Sequence, residues 1–250
     1  MTNQITPTIW SRESCPFQAT NKRIDIWQID LKDTNLHHLE YLSEDELMRA
    51  QKIIHQSGKD RFIRSRCSLR YILAQSLQVA PASLVFEYGE KGKPMLSHPY
   101  DSQLEFNLSH DTDKALIALA RERQLGIDIS DVNRSTNNIA ISKRNFSDKE
   151  HTFLLSHAAD EIPQQFHSIW SRKEAYTKAI GRGYAYGFKN FTVSSEFGLI
   201  EDVLNKDACD QWTILPINTG SDTVAALAHS KTDQQDIPDI YYWNLKTDEM

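Results

Sequence analysis

Two short segments constrain the fold of this chain more than any others. Ser43-Glu44-Asp45-Glu46 and Ser147-Asp148-Lys149-Glu150 both have the form of a capping box, in which serine and the glutamate three residues on satisfy each other's backbone. Apolar residues at helical spacing follow each one: Leu47, Ala50, Ile53 and Ile54 in the first case, Phe153, Leu154 and Leu155 in the second. A second helix, aromatic and basic, comes next in both halves. The repeat predicts a duplicated α+β chain of two similar modules, residues 1-120 and 125-250, divided after the charged segment Arg121-Glu122-Arg123-Gln124.

Strand candidates fill in each half. Val85 to Tyr88 and Leu104 to Phe106 are short ones, with Gly89, Gly92 and Pro94 forming the turn between them. Ala115 to Ala120 and Gly126 to Ile129 read as core strands, and Phe191 to Val193, Trp212 to Leu215, Val224 to Ala228 and Ile240 to Trp243 supply the rest. Asp233 to Asp239, polar and holding Pro238, reads as a surface excursion.

At 250 residues, 40% hydrophobic and 25% charged, the chain can bury one large core or two modest ones. Its apolar runs are too short to cross a bilayer and its N-terminus lacks a signal-peptide apolar region, so a cytoplasmic protein with no membrane partner is expected. Cys15, Cys67 and Cys209 are too scattered for a disulfide framework or a zinc site. A net charge of -6 argues against a nucleic-acid binder. Lys59, Arg61, Arg64, Arg66 and Arg70 nevertheless crowd one segment, which is either a solvated basic face or an anion-binding one.

The chemistry concentrates in three places. In Trp170-Ser171-Arg172-Lys173-Glu174-Ala175-Tyr176-Thr177-Lys178, a helix would set Trp170, Lys173, Glu174, Thr177 and Lys178 along one side, a carboxylate between two amines. Gly126-Ile127-Asp128-Ile129 is a β-branched run interrupted by an acid that is costly to bury. Two carboxylates on separate elements with lysines beside them suit a divalent cation carrying phosphate. Bland readings stand beside this one: Asp128 as a strand-end cap, and Glu174 as an i,i+4 partner of Lys178. The third place is Asn107-Leu108-Ser109-His110.

Together these segments resemble the 4'-phosphopantetheinyl transferases, specifically the surfactin-type branch whose signature ends in Trp-x-x-Lys-Glu-Ala. They occur in the family's order, and Lys91-Gly92-Lys93-Pro94 lies upstream where the family often has Gly-Lys-Pro. A weaker similarity over Ser43 to Tyr71 extends the resemblance across most of the chain.

The resemblance implies two α+β modules related by a pseudo-twofold, with the active site in the cleft between them. It implies transfer of the phosphopantetheine arm of coenzyme A to a serine of an apo acyl, polyketide or peptidyl carrier protein, with Mg²⁺ as cofactor and adenosine 3',5'-bisphosphate released. Asp128 is then a metal ligand, and Glu174 a ligand, the base toward the carrier serine, or both. Lys178 joins them as a catalytic residue. Arg49, Arg61, Lys93, Ser109, His110, Lys173 and Lys178 are the implied coenzyme A contacts, and one chain holding both halves of its cleft implies a monomer.

Two departures from the family pattern stand out. Where the position two after Asp128 is commonly Glu, this chain has Ser130, a neutral hydroxyl on the same strand face, which predicts weaker magnesium binding. Asp111 replaces a frequent second Ser after His110 and predicts a weaker coenzyme contact. The alternative functions are a non-catalytic coenzyme A or carrier-protein binding module and a different magnesium-dependent phosphoryl enzyme.

Overall fold

In the computed structural model the described residues are 10–11, 20–32, 38–97, 99–100, 103–194, 198–232 and 237–245. Cys15 and residues 233–236 of the expected excursion lie outside them. The elements in chain order are β1 (Trp10–Ser11), β2 (Arg23–Asp30), α1 (Glu44–Gln51), α2 (Gln56–Leu77), β3 (Phe86–Tyr88), β4 (Pro94–Leu96), β5 (Leu104–Asp111) and β6 (Lys114–Arg121). Then follow β7 (Leu125–Asp131), α3 (Asn138–Asn145), α4 (Asp148–Leu155), α5 (Ile162–Ala179), β8 (Phe191–Ser194), β9 (Gly198–Asp202), α6 (Ala208–Gln211), β10 (Trp212–Asn218), β11 (Thr223–Ser230) and β12 (Asp239–Asn244).

The duplication is legible in the connectivity. In the first half β2 pairs antiparallel with β6 and β6 with β5, while in the second β7 pairs antiparallel with β11 and β11 with β10. Between the first strand and the last two, each half inserts a capped helix, a long helix and a small hairpin: α1, α2 and β3–β4, then α4, α5 and β8–β9. Both capping boxes form, with Glu46 and Glu150 reaching back to the backbone N–H of Ser43 and Ser147.

Three cores follow from strands that are apolar on both faces. Leu69, Ile72 and Leu73 of α2 pack on Trp27, Ile117 and Leu119 of the first sheet. Tyr176 and Ala179 of α5 pack on Ala226 and Ala228 of the second. The remaining faces pack against each other, with Ile24, Ile26, Leu116 and Ala118 meeting Ile127, Ile129 and Leu227.

The expected second module, 125-250, needs correcting. Strand β12 leaves that half and pairs parallel with β2, giving the first sheet the order β1-β12-β2-β6-β5. The reason is an edge: in the absence of β12, β2 would present a row of unpaired backbone groups. Trp243 fastens the strand, packing in the first core and donating its indole N–H to Asp25 at 2.7 Å. Strand β2 itself was absent from the expected strands, although Ile24, Ile26 and Ile29 interleave with polar residues in a β-branched pattern. No helix among the described residues is long and apolar enough to cross a membrane.

Replacing Trp243 by Ala removes both its packing and one of the hydrogen bonds to the buried Asp25, which keeps Arg23. We expect the unfolding free energy to fall by about 3–5 kcal/mol, read by urea denaturation.

Candidate functional site

The site grows from the two faces of β7. Leu125, Ile127 and Ile129 point into the core between the sheets, so Gly126, Asp128 and Ser130 face α5. Gly126 is required there, since a Cβ would collide with the carbonyl of Ala175 and the amide of Ala179 on α5. The helix backbone lies directly on the strand, and Lys178 crosses from it to Asp128. Its ammonium donates to Asp128 Oδ1 at 2.6 Å, to Ser109 Oγ at 3.0 Å and to the carbonyl of Ile127 at 3.2 Å. Ser109 Oγ in turn donates to the same carboxylate oxygen at 3.0 Å.

The seam between the halves is made by side chains standing in for a strand ladder. Asn107 and Asp111 of β5 accept hydrogen bonds from the backbone N–H of Ile127 and Asp131 on β7, each at 2.8 Å. Asp111, which stands where the family often has a second Ser, is buried in this seam, where Arg134 also donates to it. Ser109 lies between the two and faces Asp128. A cleft of about 190 Å³ opens alongside, lined by Lys91, Lys93, Leu108, Thr177, Lys178 and Gly183.

Glu174 lies one turn before Lys178, yet Lys178 takes Asp128 as its partner. Among the described residues nothing hydrogen-bonds to the Glu174 carboxylate. Burial first, then the negative charge of Asp128, raise its pKa above the usual carboxylate range, and Lys178 only partly opposes them. Two carboxylates that repel each other beside a cleft, one of them partnerless, form a donor set that a hard divalent cation would relieve.

Of the expected coenzyme contacts, His110 stands exposed at the end of β5. The protein around it, then the cations of Lys178 and Arg61, lower its pKa, which puts all three groups in one electropositive neighbourhood. Arg61 also lies 3.8 Å from Asp113 at the β5–β6 turn. Lys93 reaches from the β3–β4 hairpin to the carbonyls of Leu125 at 3.1 Å and Ala179 at 3.4 Å, with Glu105 at 3.8 Å. Arg49 lies over the Tyr88 ring at the turn end of that hairpin.

Lys173 is a correction. It does not share a side with Glu174 and Lys178, because 100° of helix rotation separates it from its neighbour. Its side chain is 0% exposed and ends on Glu150 at 2.9 Å, the carbonyl of Phe188 at 2.8 Å and that of Phe191 at 2.6 Å. Burial pushes the ammonium down to about 8, the charge of Glu150 opposes that shift, and each of its three N–H groups has an acceptor. A buried lysine so occupied has nothing left for a phosphate.

The first half repeats the arrangement. Glu46 accepts from Arg66 Nε at 2.7 Å and Arg70 Nε at 2.6 Å, and Arg70 also donates to the carbonyls of Pro81 and Leu84. The expected basic face of α2 is therefore mostly internal: Arg64, Arg66 and Arg70 are buried, and Lys59 and Arg61 remain half-buried. Ser130 is likewise internal, its hydroxyl 2.7 Å from Nδ1 of His167. His167, Asn107, Lys91 and Glu150 were missed as participants. Glu150 carried a signal as the end of a capping box, and Asn107 and Lys91 lay within segments already singled out, whereas His167 had none.

Residues 124–228 match the model of the "4'-phosphopantetheinyl transferase superfamily", and residues 27–122 match that of "4'-phosphopantetheinyl transferase, N-terminal". The chain is 36% identical over 166 residues to the 4'-phosphopantetheinyl transferase HetI of Nostoc, a match covering 65% of this chain and 70% of that one. It is 28% identical to a phosphopantetheinyl transferase of Thraustochytrium, covering 63% and 59%. It is 25% identical to the 4'-phosphopantetheinyl transferase Sfp of Bacillus subtilis, covering 65% and 70%.

Two substitutions test this geometry. Lys173→Ala strands Glu150 without its cation and should cost about 3–5 kcal/mol by urea unfolding, with coenzyme A affinity of the folded fraction unchanged by calorimetry. Gly126→Ala should force α5 away from β7, lowering the melting temperature and weakening coenzyme A binding together.

Proposed function

The chain belongs to the 4'-phosphopantetheinyl transferase superfamily, a class of transferases, and from that membership we propose how its cleft performs the reaction. Coenzyme A would lie across the seam, and the phosphopantetheine arm would pass to the serine hydroxyl of an apo acyl, polyketide or peptidyl carrier protein. The observation that carries the reading is the cluster of Asp128, Ser109 and Lys178 set beside the partnerless Glu174.

Asp128 and Glu174 would hold Mg²⁺, which when bound neutralises charge on the pyrophosphate. Two carboxylates are enough for an ion that normally keeps several waters and takes further ligands from phosphate. Lys178 balances Asp128 in the free protein and contributes a movable point charge to the substrate phosphates. Ser109 supplies a hydroxyl donor, and His110, Arg61, Lys93 and Arg49 the cationic and polar rim. Glu174, one turn before Lys178 and without a hydrogen-bond partner among the described residues, would take the proton of the incoming serine. Both halves of the cleft come from one chain, so we read the protein as a monomer. A non-catalytic binding module is not favoured, since Asp128, Glu174 and Lys178 are all retained.

The test is to incubate the protein with coenzyme A, Mg²⁺ and apo carrier proteins of the three kinds and to weigh the carriers by intact mass spectrometry. A phosphopantetheine-sized gain that needs magnesium is expected, and it should disappear in Asp128→Asn and Glu174→Gln; no gain on any carrier would refute the reading.

Glu174→Gln should also stabilise the free protein. A carboxyl with a raised folded pKa binds its proton more tightly folded than unfolded, so stability falls as pH rises through the interval between its unfolded and folded pKa values. The amide mimics the protonated form. The variant should therefore melt higher than wild type at pH 7 and match it below about pH 4, where glutamate is protonated in both states.

A further inference from the structure

Three oxygens from three residues converge on the Lys178 ammonium: the Asp128 carboxylate at 2.6 Å, the Ser109 hydroxyl at 3.0 Å and the Ile127 carbonyl at 3.2 Å. Oxygen donors of these kinds are also what a hard divalent cation takes. In the free protein the ammonium therefore stands where the proposed magnesium site would gather its own cation. The Asp128 side chain is 9% exposed and that of Lys178 27%, so the carboxylate is the buried partner and the lysine the one with room to leave.

A carboxylate this buried is costly to leave without a counter-charge. Filling the site is then an exchange of one cation for another. An ammonium and a divalent ion drawing on the same carboxylate repel each other at short range, so the ion binds well only once the lysine has been drawn off. Lys178 also lines the cleft, on a flexible four-carbon stem, where the phosphates of coenzyme A offer it a new partner. Glu174 takes none of the ammonium's hydrogen bonds and stays open to the arriving ion.

We propose that Lys178 is a resident cation that guards the metal site: coenzyme A draws its ammonium from Asp128, and that release lets Asp128 and Glu174 hold Mg²⁺. Coenzyme and metal then bind cooperatively, each raising the affinity for the other by the same factor. The free protein holds little metal, and divalent ions without the coenzyme find Asp128 already paired. The proposal rests on the transferase reading above and adds to it an order of events.

The test is calorimetric titration of Mg²⁺ into the protein without coenzyme A and with it at saturation, the binding of Mg²⁺ to coenzyme A alone being subtracted. Wild type is compared with Lys178→Met and with Lys91→Met, which removes a cleft charge that pairs with no carboxylate among the described residues. Without coenzyme A, Lys178→Met should bind Mg²⁺ roughly 10-fold tighter than wild type, and the gain that coenzyme A brings should shrink by a similar factor. Lys91→Met should match wild type.

An unchanged Mg²⁺ affinity in Lys178→Met would overturn the proposal, as would an equal gain in Lys91→Met, the outcome for a general loss of positive charge. If Lys178→Met fails to fold, ¹H–¹⁵N spectra of the wild-type lysine ammonium groups decide, with Lys178→Arg assigning the signal. That signal should shift with coenzyme A and be lost at saturating Mg²⁺ without it; its persistence unaltered at saturating Mg²⁺ would sink the idea. Failure of the wild-type protein to bind coenzyme A at all would sink the transferase reading as well, whereas normal coenzyme binding with any of these adverse outcomes sinks only this proposal.

Discussion

A buried carboxylate gripped by a cation from the next helix holds each half of this protein in register. Glu150 meets Lys173 in the second half, and Glu46 meets Arg66 and Arg70 in the first. A charge out of water is tolerable only when paired and hydrogen-bonded on all sides, and both pairs meet that condition through backbone groups of the following loop. Each glutamate also caps its own helix, so one side chain fixes a helix start, a second helix and a loop. The consequence for the site is rotational. With Lys173 locked inward, α5 turns Thr177 and Lys178 toward the cleft.

Strand β7 carries the second constraint. It is buried on both faces, but the faces do different things: Leu125, Ile127 and Ile129 join the sheets, while Gly126, Asp128 and Ser130 meet the helix. The missing side chain at Gly126 brings the helix close enough for Lys178 to reach Asp128. A polar residue in an apolar strand is thus explained by direction, with two chemistries interleaved at the strand's own period.

Much of this was legible from residue order alone. The capping boxes announced the duplication, and the acid in Gly126 to Ile129, the Ser109-His110 pair and the Glu174/Lys178 helix turn do converge. What was lost was three-dimensional. Lys173 looked like a neighbour of Glu174 because helical adjacency was counted without asking which side the core would claim, and Arg66 and Arg70 read as part of a solvated or anion-binding face because their partner, Glu46, lies far back in the chain. Asn107, Asp111 and His167 act across a seam whose partners no local pattern connects. Strand β2 was missed through its own polar residues, although Asp25 is buried against Arg23 and Trp243.

The return of β12 to the first sheet couples the folding of the two halves in time. As the chain leaves the ribosome, β2, β5 and β6 can assemble early, but the free edge of β2 stays open until the residues of β12 have been made. For that interval it is a template for any other unpaired strand. The half that emerges first is therefore among the last to be finished, and a nascent chain stalled within the second half would hold a nearly complete cleft on an unsealed sheet.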